Sequence, residues 1–380
     1  MRRLGTTICC SALALATASL QLLGSTAANT IPILPARQQW TIALNNALTI
    51  QPGFHEHRGY FPIEGNRLVA YDLAAGTQLW LVSSQPVWPP VASDELVFVV
   101  HPDAIVALSA ADGSEAWRLP IDERLAVRPV ANDRWLIAAM VTGATLAIRV
   151  GDGTIGWRLD AGARISAPPT LTPDRIYLPL EDRRVLALQA EDGAVLWERR
   201  LGGPPTGILA LDDRVYVGAT DNFLYCLGSR RGDIDWRWRT GADVIGAPVV
   251  VDDRLYFVSL DNILRSLDRN GGSQKWKRAL PLRPRSTPLL AGSTLIVGGL
   301  TPSVRGYASA TGAPAGEVTL PSDLAAPPYL FWNGGVPVLV AVTTDIAKGA
   351  TVIGFIPGAG FPTPFAALPN PPVVPVLTFP

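Results

Sequence analysis

Cysteine is almost absent from this 380-residue sequence, and its placement limits what it can do. Cys9 and Cys10 lie close to the N-terminus, which leaves Cys226 alone in the body of the chain. A single thiol forms no internal disulfide, so an oxidising compartment adds nothing to the stability of this fold. Net charge is missing as well, with 32 Lys and Arg against 32 Asp and Glu. That balance excludes the bulk basic field used to bind nucleic acid or an acidic membrane surface. Charged residues make up 17% of the chain and hydrophobic ones 48%, which excludes a disordered solvating segment as the main body. No Ser/His/Asp set, phosphate-cradling glycine loop or zinc-ligand spacing is present. What the chain has in quantity is Gly (35) and Pro (34), the composition of a chain with many turns.

The N-terminus reads as a targeting segment. Arg2 and Arg3 precede an apolar stretch from Ile8 to Leu23, followed by Ser25-Thr26-Ala27-Ala28. A charged start, a short apolar core and a small-residue exit describe a secretory signal peptide cleaved near residue 28. The stretch is shorter than the ~20 residues that span a bilayer and is interrupted by Thr17, Ser19 and Gln21. No later segment could cross a membrane. Cleavage removes two Arg and leaves 30 basic against 32 acidic residues. Cys9 and Cys10 precede the apolar core, so they do not stand where a lipoprotein signal places its acylated cysteine. The expected location is the periplasm or the outer-membrane surface of a bacterial envelope.

An internal repeat organises the remainder. Tryptophans fall at Trp40, Trp80, Trp117, Trp157, Trp197, Trp236 and Trp276, at intervals of 37 to 40 residues. Four residues before each, from Trp80 onward, stands a glycine: Gly76, Gly113, Gly153, Gly193, Gly232 and Gly272. Ten before stands a small residue, from Ala70 to Ser266, and a degenerate copy puts Gly316 in the tryptophan slot. Each unit reads as four short strands separated by turn chemistry such as Thr172-Pro173-Asp174 and Glu191-Asp192-Gly193. Runs such as Leu255-Tyr256-Phe257-Val258 do not alternate with polar residues, so the sheets are expected to be covered on both faces. Four-stranded units of about 40 residues, covered on both faces, predict the blades of a β-propeller.

Blade count follows from the slots. Outer strands end at six tryptophans from Trp80 to Trp276 and at Gly316, which gives seven blades. Residues from about 326 to 355 supply three more strands, and the strand around Trp40 completes them. The expectation is an all-β, eight-bladed β-propeller of four-stranded antiparallel blades, with the ring closed by the N-terminal strand. The tryptophan fills the space between diverging blades, while the small residue and the glycine let its ring lie close to backbone. The division is a signal peptide over 1–28, a linker over 29–36, the propeller over 37–356 and a Pro-rich tail over 357–380. That tail reads as extended, polyproline-like chain that is disordered, with a strap for a partner or for its own propeller as the alternative.

The pattern Ala-x-x-x-x-Asp-Gly-x-x-x-Trp, in Ala107–Trp117 and Ala187–Trp197, resembles the tryptophan-docking repeat of the quinoprotein (PQQ-binding-like) propellers. That group includes quinoprotein dehydrogenases and the BamB propellers of outer-membrane protein assembly, which length and eight-blade closure favour. The resemblance covers roughly residues 37–356 and implies architecture far more than chemistry. For a dehydrogenase it would imply PQQ with calcium, held by a Glu and an Asn or Asp beside a catalytic Asp. The residues do not support that set. Asp103, Asp182, Asp221 and Asp261 recur in the second hairpin of their blades, where Asp221-Asn222 and Asp261-Asn262 read as turn formers. We therefore expect no catalytic residue, no cofactor and no metal.

His55-Glu56-His57 invites a metal reading, since imidazoles and a carboxylate are good ligands. The alignment of blades puts His55–Arg58 on the turn between strands one and two. It puts His101 on the turn between strands two and three, at the opposite face, so the three histidines are expected not to converge. The loops entering the blades carry Trp88, Arg124, Arg128, Arg164, Arg283 and Arg285 around the axial funnel. Arginine with an aromatic residue makes a protein-docking rim, although Asp122, Glu123 and Asp243 lie among them. The expected partners are proteins of the envelope, β-barrel assembly components among them. The rival readings are a PQQ-dependent oxidoreductase or quinone-binding protein, and a sensor or carbohydrate-binding propeller.

Overall fold

In a computed structural model describing residues 31–299, 301–345 and 348–358, all regular structure is β-strand. The signal peptide expected over 1–28 and all but the first two residues of the tail expected over 357–380 lie outside the described residues. Thirty-two strands form eight four-stranded antiparallel sheets. Seven use consecutive strands: blades 1 to 7 cover residues 53–83, 91–120, 130–160, 170–200, 205–239, 249–279 and 289–319. Blade 8 takes three strands from residues 329–357 and its outer strand from Ala36–Ala43. The closing pair runs from Ala36 opposite Pro357 to Ala43 opposite Thr351, so the two ends of the ring are hydrogen-bonded together. No sheet of the ring is left incomplete at the closure.

First strands of neighbouring blades touch one another, which places them at the axis, and fourth strands are the most exposed, which places them at the rim. Leu255, Tyr256, Phe257 and Val258 are all buried, as a run covered on both faces requires. The apolar core is correspondingly divided into eight clusters, one per blade interface. At ~25 cal/mol per Å² of apolar area removed from water, these interfaces rather than the edges of the sheets hold the ring together.

One register repeats in the blades and explains the periodic residues. In blade 4, Tyr177 of the second strand faces Ala187 of the third, which faces Trp197 of the fourth. Ala187 is small enough for the indole to lean across it toward Tyr177, with ring centroids 5.8 Å apart. A β-bulge follows the small residue in each of these hairpins and re-aims the outer strand. The glycine partner of each ring comes from the next blade. Trp157 donates from Nε1 to the Ala190 carbonyl at 2.9 Å and lies on Gly193, where an added Cβ would stand 2.7 Å from Cε3. Gly193 also sits at φ +73°, a left-handed turn position that disfavours a side chain. The same arrangement recurs from Trp80 on Gly113 to Trp276 on Gly312.

Blade 7 departs from the pattern because Gly306 faces Gly316 and no indole is present. Leu34 takes the space. It touches both glycines and is buried, as is Ile33, in the cluster between blades 7 and 8. The strand also starts at Ala36. Residues 33–36, read from sequence as linker, therefore belong to the packed ring, because an unfilled indole-sized gap would forfeit the contacts of both walls.

Candidate functional site

Alternation of strand direction puts two kinds of turn on each face of the disc. The loops entering the blades and the turns between second and third strands share one face. They are joined by isolated bridges such as Leu125 to Met140, Ile165 to Leu180 and Val244 to Ser259. This is the funnel face that carries the six rim residues.

The structure brings three of the six together. Trp88, Arg124 and Arg164 line a groove of about 640 Å³ across blades 2 to 4, with Val87, His101 and Val141 also in its wall. Val87 and Val141 are exposed, and Trp88 is half-buried on the core between blades 2 and 3. Arg164 pairs with Glu181 at 3.6 Å, whereas Arg124 makes no ion pair among the described residues. Glu123 is turned away, accepting from Thr142 and pairing with Arg158 at 3.4 Å. His101 bonds Ser84 at 3.0 Å, and burial pulls its pKa down, so it enters this wall as a neutral imidazole near pH 7.

Arg283 and Arg285 belong elsewhere. They bound a groove of about 420 Å³ with Ile245 and Leu260, on the opposite side of an eight-membered ring from blade 3. Arg285 also reaches a smaller pocket of about 300 Å³ beside Ala325–Pro328. Arg128 precedes the first strand of blade 3, at the axis. It is open to solvent, yet surrounding protein lowers its pKa by desolvation, as befits a group inside the funnel. The rim is thus two arginine-bearing grooves facing each other, with Arg128 near the axis.

Three of the four recurring funnel acids are held by their own blades. Asp261 pairs with buried Arg265 at 2.5 Å and accepts from Ser259 Oγ and Gly241 N. Burial pushes its pKa up, but Arg265 and Ser259 outweigh this and leave it below the usual carboxylate range. Asp221 accepts from the Tyr225 hydroxyl at 2.5 Å, and Asp182 accepts from Arg184 Nε at 2.6 Å. Alignment of single repeats does not show these partners, which stand two or four residues further on.

On the opposite face, His55 and Glu56 of blade 1 converge with Asp94 of blade 2, and His55 Nε2 lies 2.7 Å from Asp94 Oδ1. His57 turns to Asp72 at 3.7 Å instead. The third member of this cluster comes from the neighbouring blade, so it is not adjacent in sequence. His55 is half-buried, the two carboxylates are exposed, and the hydrogen bond within the cluster is the one between His55 and Asp94.

A family model described as outer membrane protein assembly factor BamB matches residues 36–119, 64–211 and 206–326. Among solved structures, BamB from Moraxella catarrhalis superposes with a TM-score of 0.70 at 17% identity, covering 86% of this chain and 99% of that one. Quinohemoprotein alcohol dehydrogenase from Comamonas testosteroni gives 0.68 at 13% identity, covering 86% and 78%. Sqt1 from Saccharomyces cerevisiae gives 0.72 at 9% identity, covering 84% and 99%. At these identities the superpositions establish the propeller fold. No curated protein matches the chain.

Proposed function

The chain belongs to the family of the outer membrane protein assembly factor BamB, and from that premise we propose that it is an exported, non-enzymatic scaffold that binds other proteins at the cell envelope. The observation that carries this reading is the groove in which Trp88 stands beside Arg124, a guanidinium with no carboxylate partner among the described residues. A half-buried aromatic ring with an uncompensated cation in a concave, partly apolar wall is the composition of an interface hot spot. Outer-membrane protein assembly is the process we assign to it, following the family. The non-enzymatic role is supported by how the funnel acids are used. Asp182, Asp221 and Asp261 are committed to Arg184, Tyr225 and Arg265. This donor set does not fit a quinone–calcium site, which needs carboxylates free to turn toward a cation.

The test is affinity capture on the immobilised protein from envelope extract, followed by purified β-barrel assembly components. Retention that disappears with Trp88→Ala supports the reading. Failure to retain any assembly component removes the proposed process, and a stoichiometric spectral change on adding PQQ and Ca²⁺ with dye-linked alcohol oxidation overturns the non-enzymatic role.

A further inference from the structure

Blade 7 is open on the side that Leu34 does not cover. A groove of about 640 Å³ runs along its outer strand, walled by Leu280 and Pro281 just after blade 6, floored by Tyr307 and Gly316, and edged by Arg278 and the Arg305–Glu317 pair. In the neighbouring outer strand an indole, Trp276, occupies the position where blade 7 has Gly316, and the groove opens on the blade 6 side, where Trp276, Leu280 and Tyr307 pack together.

We propose that residues 359–380 of this same chain dock in that groove. The point of departure favours it. Gly358 N donates to the Pro35 carbonyl at 2.6 Å, and the adjacent Leu34 touches Gly306 and Gly316, both of which line the groove. The remaining segment therefore starts at the seam between blades 7 and 8. Its length is ample: 22 residues at ~3.1 Å each reach ~68 Å, against strands only ~4.8 Å apart. Its chemistry suits the site. The segment has no charged residue, carries Phe361, Phe365 and Phe379, and contains seven prolines. Prolines lack the N–H needed to extend a sheet edge, so the segment binds by laying rings against Tyr307, Pro281 and the Arg278 stem rather than by strand addition. A phenylalanine of this segment then covers Tyr307 on the blade 6 side, while Leu34 fills the Gly306–Gly316 slot on the blade 8 side.

The experiment compares the full chain with one ending at Gly358, by hydrogen exchange on the outer strand Ala315–Thr319 and on the equivalent strand Val195–Arg200. Docking predicts exchange about tenfold faster in blade 7 on truncation, no change in blade 4, and restoration by a synthetic 359–380 peptide. A full-length Ala279→Trp chain, which blocks the groove wall, and a full-length Phe361→Ser/Phe365→Ser chain should reproduce the truncated pattern and keep the test valid if truncation impairs folding. Unchanged exchange in blade 7, peptide protection of another blade, or concentration-dependent protection from a second copy that survives truncation would each overturn the proposal.

Discussion

Leu34 and Gly306 are in van der Waals contact so close that a Cβ on the glycine would overlap Leu34 Cδ1. A residue outside the repeat thereby substitutes for the one tryptophan that blades 1 to 7 lack, at the interface where the N-terminal strand closes the ring. Leu34→Ala should cost about 2–5 kcal/mol, the range for truncating a buried leucine. Differential scanning calorimetry reads it as a lowered Tm, and an unchanged Tm would show that the N-terminal segment does not brace blade 7.

The docking pairs make a sharper prediction because each joins two blades. Trp197 donates to the Ser229 carbonyl at 2.8 Å and packs on Gly232, where a Cβ would approach Cε3 to 2.5 Å at φ +69°. Trp197→Ala should destabilise by about 3–5 kcal/mol. Gly232→Ala should also destabilise, through the strained φ and the collision with the ring. Once the ring is gone the collision vanishes, so the double variant should be more stable than the sum of the two losses predicts. Additive losses in urea melts would rule out the contact as the cause.

These two cases show what was legible in the sequence. Trp197 and Gly232 were visible because every blade must solve the same packing problem, and a repeated solution leaves a period. Which blade owns the glycine was not visible, since a repeat aligned on itself cannot distinguish the preceding unit from the next. Leu34 is a single event with no period, so it read as linker. The rim residues are legible as loop residues, but the ring alone decides that Arg124 and Arg283 stand on opposite sides of the funnel. The convergence of His55 with Asp94 escaped for the same reason: the two turns are 39 residues apart and meet only when blades 1 and 2 are set side by side.

The Asp261–Arg265 pair predicts a defined pH dependence. Asp261 titrates below its usual value in the folded protein, so its contribution is present above about pH 4 and is lost as pH falls through the lower folded value. Asp261→Asn leaves the Arg265 guanidinium buried without its carboxylate, which should cost about 3–5 kcal/mol at pH 7. The difference from the parent protein should narrow as the pH falls through that lowered value and the parent carboxyl becomes neutral. Denaturant melts across pH 2 to 7 check this, and a constant difference would place the effect in packing instead.

Cys226 offers a probe of ring opening. It is fully buried between Tyr216 and Trp236, and burial pushes its thiol up to about 11. At pH 8 Cys226 of the native protein should react with a thiol reagent only through opening of the blade 5 region, so its labelling, read by peptide mapping apart from Cys9 and Cys10, should be far slower than in denaturant. Prompt labelling of Cys226 in the native state would contradict the closed ring at that interface.

The two arginine-bearing grooves allow the binding face to be located by substitution. If a partner docks across blades 2 to 4, Trp88 is its anchor and Arg124 its cation. Truncating a central hot-spot aromatic typically costs ~2 kcal/mol or more, about 30-fold in Kd. Arg124→Glu should act mainly by slowing association with an acidic partner, and its effect should shrink at high salt. An Arg283→Ala/Arg285→Ala chain should bind normally, because those side chains lie half a turn of the ring away. The two arginine variants keep the core intact, so their Tm values should match the parent, whereas Trp88 also packs on the core between blades 2 and 3 and its truncation should lower the Tm modestly. The reverse pattern, with binding lost at Arg283 and Arg285 and kept at Trp88, would move the docking surface to the opposite groove and leave the propeller unchanged.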